Sequence, residues 1–271
     1  MESKGNKRGI TMSRFESYII SEQERYYSKP RTEVISDTKA KDLMKTECKK
    51  AFNAYTNNIA MIYRGTVNNN NFLLSDPTKG VRKSANTQNF YTLLIDHILT
   101  SWSKYPKRSK SLVCSTKIYG TESYGITYVV LPFKSAKIGV CSDIDIWSSF
   151  KNIQSLNIFN SDIYEFINTF TVSDPDDNDP KRLIKQLLHA DKNFRNIGDD
   201  YLNIKPESDL ISNYTESEYI KHNNIIEYLN KEMDPVKNGF KLKKVGDKLP
   251  TEEVEVWVGN APSLLIEKGK L

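Results

Sequence analysis

The stretch Thr251-Glu252-Glu253-Val254-Glu255-Val256-Trp257-Val258 constrains the fold more than any other in this chain. Apolar residues alternate along it, so it reads as a strand, and residues two apart on a strand share a face. Glu253 and Glu255 therefore lie side by side at the strand's entrance. Two adjacent carboxylates repel unless the charge is solvated or used, and solvated strand edges carry such pairs routinely. The surrounding chain has to decide between those two readings.

With 271 residues, the chain is long enough for one large domain or two small ones. A 38% hydrophobic content supports a packed core, and no apolar run approaches the roughly 18 residues needed to span a bilayer. The terminus MESKGNKRG leads into no signal-like apolar region, so the expectation is a cytoplasmic protein, or one packaged in a particle after cytoplasmic synthesis, with no membrane partner. Cys48, Cys114 and Cys141 have no CxxC spacing, and His97, His189 and His222 lie far apart, so neither a disulfide framework nor a metal site is expected. A net charge of +5 permits an anionic ligand without requiring nucleic acid.

Along the chain, residues 1–30 read as a flexible polar arm with a short helix near Arg14–Ile20. Spacing predicts a helix from Asp37, as its N-cap, to Tyr55, and a short buried strand over Ile59–Tyr63 ending at Arg64-Gly65. A second helix is predicted over Thr87–Trp102, and a basic loop, Lys104–Lys110, precedes a strand at Leu112–Thr116. Gly120 and Gly125 bound a helix or turn, and Ile126–Pro132 and Ala136–Cys141 read as strands. Asp143–Phe150, Ile163–Phe170, Lys181–His189 and Glu216–Glu232 read as helices, the last opened by a capping box from Thr215 to Glu218. The acidic run Asp174–Pro180 lacks the glycine and final glutamate of a calcium loop and reads as a solvated linker. Lys241–Ile266 is strand-rich. Helices and strands do not alternate regularly, so the class is α+β.

Three strand-associated pieces then stand in order: Tyr63-Arg64-Gly65, Ser115-Thr116, and Glu253-Val254-Glu255-Val256. A guanidinium fork suits a pyrophosphate, small hydroxyls can bond a sugar or amide, and carboxylates can bind ribose hydroxyls and stabilise positive charge at an anomeric carbon. This ordered set resembles the mono-ADP-ribosyltransferase family in its arginine–serine–glutamate branch. The resemblance spans roughly residues 37–266. It implies a split β-sheet core with flanking helices over residues 31–271, and the long interval before Glu253 implies a helical insertion at about 174–235. It also implies NAD as substrate and no metal. By the resemblance, Arg64 contacts the NAD phosphates beside Tyr63 and Gly65, Ser115 and Thr116 support the nicotinamide side, Glu255 stabilises the oxocarbenium-like transition state, and Glu253 prepares the acceptor. Two glutamates suit an arginine acceptor, which is protonated at neutral pH. Lys117 stands where the family has a third motif residue, serine.

Met12–Ile19, Arg82–Asp96 and Tyr105–Thr116 are also similar to tailed-bacteriophage proteins. That likeness implies a host protein as target, action in the host cytoplasm after delivery with the virion, and virion components as partners. Two alternatives stay open: nucleic acid as the acceptor, suggested by the basic stretches at Arg82–Thr87 and Tyr105–Ser109, and a non-catalytic virion structural or nucleic-acid-binding protein with a degenerate transferase fold. For both basic stretches the plainer reading is a solvated loop. Trp102, Trp147 and Trp257 read as core residues.

Overall fold

The computed structural model describes residues 31–84, 88–150, 162–171, 173–197 and 222–271. The predicted arm, its Arg14–Ile20 helix and the Thr215–Glu218 capping box lie outside these residues. The described chain is α+β, with seven α-helices and a nine-stranded antiparallel sheet. The strands are β1 (Arg31–Val34), β2 (Tyr63–Thr66), β3 (Phe72–Asp76), β4 (Ser111–Ser115), β5 (Ile126–Pro132), β6 (Lys137–Val140), β7 (Lys241–Lys244), β8 (Glu255–Gly259) and β9 (Ser263–Glu267). Their order across the sheet is β1-β3-β9-β5-β2-β4-β8-β6-β7. The join at the middle is narrow: β2 and β4 share one register pair, Tyr63 opposite Ser115, whereas β2 and β5 share four. Two well-paired halves thus meet at a point, and their divergence makes room for a cavity.

The helices are α1 (Asp37–Lys45), α2 (Lys49–Thr56), α3 (Phe90–Leu93), α4 (Tyr119–Glu122), α5 (Asp162–Thr171), α6 (Pro180–Ile197) and α7 (Ile225–Glu232). Helices α1 and α2, with Cys48 at the turn between them, pack Ala40, Cys48 and Ala51 into one core cluster with Leu73, Leu112, Val256 and Val258 of the sheet. Helices α3, α5, α6 and α7 build a second cluster, rich in aromatics, around Trp102 and Trp257. Alternation along β8 serves both layers, since Val256 and Val258 join the first cluster and Trp257 the second. Gly139 lies opposite Trp257, and a side chain there would overlap the indole ring. All of α5 to α7 lies in the connection between β6 and β7, which pair Val140 with Lys241. The helical connection therefore opens well before residue 174.

Several expected elements differ. The helix predicted from Asp37 to Tyr55 is two helices, because Cys48 turns its thiol to Leu131 O at 3.3 Å while its N–H bonds back to Leu43 O at 2.8 Å. Its N-cap is Ser36, whose hydroxyl accepts from Lys39 N, so Asp37 is already helical. Ile59 is exposed and the strand starts at Tyr63; the α2 terminus curls through Asn58, at φ 57°, and Ile59 N bonds Ala54 O. The helix predicted to end at Trp102 continues past α3 as a π turn, Leu94–Ile98, and a 3-10 turn, Thr100–Trp102. Asp143–Phe150 forms turns rather than a helix. Here Asp143 and Asp145 bind the N–H groups of Ile144 and Trp147, each at 2.7 Å, and local side-chain bonds of this kind compete with helix formation. Helix α6 runs eight residues past His189, and α7 is capped by Asn224, which accepts from Glu227 N.

The three tryptophans are buried, as expected of core residues. The acidic run is tied down rather than free: Asp177 pairs with Lys83 at 2.6 Å and its carbonyl accepts from Asn89 at 2.7 Å.

Candidate active site

The entrance to β8 is anchored from β4. Thr116 donates through its hydroxyl to Glu252 O at 2.6 Å, and the same oxygen accepts from Val254 N at 3.0 Å. The loop before β8 is thereby clamped, which aims Glu253 and Glu255. Across the ladder Glu255 lies directly opposite Ser115, a position where side chains on one face come within a few ångströms. The Ser115 hydroxyl accepts from Lys117 N at 3.0 Å, closing a tight turn that leads to α4. Gly120 on α4 lies so close that a Cβ would strike the Glu253 carboxylate and the Ser115 side chain. On β2, Arg64 reaches across the divergence to donate to Val113 O.

A cavity of about 330 Å³ lies where these elements meet. Arg64, Gly65, Ser115, Glu253 and Glu255 all face it, although they come from three distant parts of the chain. Two expected members do not line it. Tyr63 is core, edge-on to Tyr55 and with its hydroxyl at Met61, because it belongs to the sheet's first apolar layer. Thr116 is 3% exposed and spends its hydroxyl on the Glu252 and Val254 backbone. It is a clamp on the glutamate strand.

Residues beyond the three motifs complete the lining: Arg82, Ser84, Arg108, Tyr124, Asp145 and Trp147 among them. The exposed-loop reading of Tyr105–Ser109 is overturned at Arg108, which is 3% exposed. Asp96 holds that turn by accepting from Arg108 N at 2.7 Å and Ser109 N at 2.8 Å. The Arg108 guanidinium lies 5.6 Å from the Trp147 ring centre and forks onto both oxygens of Glu255, at 3.3 Å for the second bond. Burial opposes its charge, but the Glu255 carboxylate outweighs burial and holds Arg108 above the ordinary guanidinium value. Arg82 feels the opposite balance: burial and the repulsion of Arg108 push it down to about 10. In a sequence Arg108 looks like one more cation in a basic loop, and the hold of Asp96 on its turn shows only in the fold.

Cys114 and Cys141 flank the site and are free thiols. Burial pushes Cys114 up to about 12, and burial with the nearby Glu255 charge raises Cys141. Neither is a nucleophile at neutral pH. Among the described residues no group of His, Cys, Asp and Glu is arranged to hold a metal ion, and no helix is long and apolar enough to cross a membrane. Comparison with protein-family models, curated proteins and solved structures gives no match.

Proposed function

We propose that the protein is an NAD-dependent mono-ADP-ribosyltransferase whose acceptor is an arginine of a host protein. One observation carries the reading: Arg64, Ser115, Glu253 and Glu255, far apart in sequence, line a single cavity. In this reading Arg64 binds the dinucleotide's phosphate side and Ser115 the nicotinamide side. The bond between the nicotinamide nitrogen and the ribose anomeric carbon breaks, and its electron pair leaves with nicotinamide. Glu255 offsets the positive charge that develops on the ribose. The acceptor nitrogen then bonds to the anomeric carbon and yields its proton to Glu253, which is half-buried in the cavity lining. Arg108 is a positioning residue, supplying the counter-charge that a buried carboxylate needs.

The test is release of nicotinamide from NAD, with labelled ADP-ribose offered to a protein extract and to DNA. The wild type should turn over NAD and label protein, and Glu255→Gln should lose about a hundredfold or more in turnover. Label on DNA alone would move the acceptor to nucleic acid. Equal background rates in wild type and Glu255→Gln would remove the transferase reading. A second reading, a non-catalytic derivative of such a fold, is favoured by one feature: Arg108 already occupies both oxygens of Glu255. The same assay separates the two.

A further inference from the structure

The segment that follows β3 is pinned beside the cavity. Arg82 N donates to Ser109 O at 2.7 Å, Ser84 N donates to Asn89 Oδ1 at 3.3 Å, and Lys83 reaches Asp177. These bonds fix the backbone around Arg82, whose side chain lines the cavity with Ser84. The Arg82 Nη1 atom is buried and has no hydrogen-bond partner among the described residues. A buried donor without an acceptor is a costly exception in folded proteins and calls for an explanation at a site. Of the neighbouring guanidinium groups, Arg108 forks onto Glu255, with its Nε also left without a partner among the described residues, and Arg64 donates to Val113 O. Three guanidinium groups share one cavity, and Arg108 and Arg64 both repel the charge of Arg82, offset in part by Glu255 and Asp145. An anion placed against Arg82 would supply the missing acceptor and relieve that repulsion together.

We propose that Arg82 is an anion-binding residue that takes a phosphoryl oxygen of a compact, diphosphate-bearing ligand. The ligand is compact because Glu253, Glu255 and Asp145 line the same cavity, where a long polyanionic strand would meet like charge. A guanidinium fork suits a phosphate better than an ammonium does, so the residue type matters as well as its charge. The inference rests on the transferase reading for the nucleotide part of the ligand; the phosphate subsite stands on the geometry of Arg82.

The test is calorimetric titration of the full chain with inorganic pyrophosphate and with ADP-ribose. Wild type should bind both. Arg82→Gln should weaken both by about ten- to hundredfold, the usual worth of a charge-assisted hydrogen bond, and Arg82→Lys should recover part of the loss. The unliganded Arg82→Gln protein should melt no earlier than wild type, because the guanidinium with its unpartnered Nη1 has been removed; this separates lost binding from lost folding. Equal affinities in wild type and Arg82→Gln would overturn the proposal, as would failure of wild type to bind either probe. Binding of a single-stranded oligonucleotide without either compact probe would overturn the ligand class. Weakened pyrophosphate binding in a protein that never turns over NAD would uphold the subsite while removing the transferase reading. NAD turnover with an unchanged KM in Arg82→Gln would do the reverse.

Discussion

Replacing Arg108 by methionine should be among the most damaging single changes in this protein, and its cost can be worked from the site. The ion pair with Glu255 has side chains 3% and 7% exposed, so water screens it poorly. Methionine keeps much of the volume, and the turn itself survives because Asp96 grips the Arg108 and Ser109 backbone amides rather than the guanidinium. What is lost is the counter-charge, leaving a buried carboxylate uncompensated, which costs about 3–5 kcal/mol. Stacking against Trp147 is a smaller part, about 1 kcal/mol. Urea unfolding of the full chain, followed by circular dichroism and tryptophan fluorescence, should show a midpoint lowered by about 1–2 M at an unchanged slope. The decisive arm is the double variant Arg108→Met with Glu255→Met. With both charges gone, most of the lost stability should return, because a buried pair replaced whole by apolar groups is often neutral or better. A single variant that loses less than about 1 kcal/mol, or a double variant as unstable as the sum of the two singles, would refute the reasoning.

Two further outcomes follow from groups away from the glutamates. Asp76 caps the turn after β3, accepting from Thr78 N at 3.1 Å and Thr78 Oγ1 at 2.6 Å with Lys79 at 3.2 Å. Burial works against its charge, but the Thr78 and Lys79 contacts outweigh it and hold the carboxyl below its ordinary 3.8. A depressed carboxyl contributes stability above its unfolded value and loses it as pH falls through the folded one. The wild type should therefore exceed Asp76→Ala by about 1 kcal/mol at neutral pH, a gap that closes in urea titrations below pH 3.8. Cys48, Cys114 and Cys141 are all buried, and burial pushes the thiols of Cys48 and Cys114 up to about 12. A thiol-reactive dye at pH 8 should modify none of the three in the native protein and all of them in urea; rapid native labelling of any one would contradict the packing.

Much of the fold was legible in local pattern. The run Ile126–Pro132 is β5 to the residue, and the apolar spacing of Ile163–Phe170 is α5 within one residue at each end. Two of the readings that failed did so where a side chain outcompeted the periodic pattern. Cys48 leaves its helix to bury against β5, and Asp143 and Asp145 bind their own backbone in place of a helical turn. The acidic run Asp174–Pro180 gives no local sign that Asp177 will meet Lys83, ninety-four positions away. Long-range pairs of that kind have no period to read.

The same division holds at the cavity. Sequence alone brought Glu253 and Glu255 forward as a pair and ordered Arg64, Ser115 and the glutamates as candidates; it put both acids on the strand, whereas β8 begins at Glu255 and Glu253 lies in the clamped loop before it. Tertiary structure decided the rest. Register put Ser115 opposite Glu255, the narrow join of β2 and β4 opened a cavity beside them, and burial turned Arg108 from a loop cation into the partner of Glu255. It also drew Thr116 into the backbone clamp and Tyr63 into the core. Which charges meet, and which are left without water, depends on strands brought together from far along the chain, and spacing along the sequence does not encode that distance.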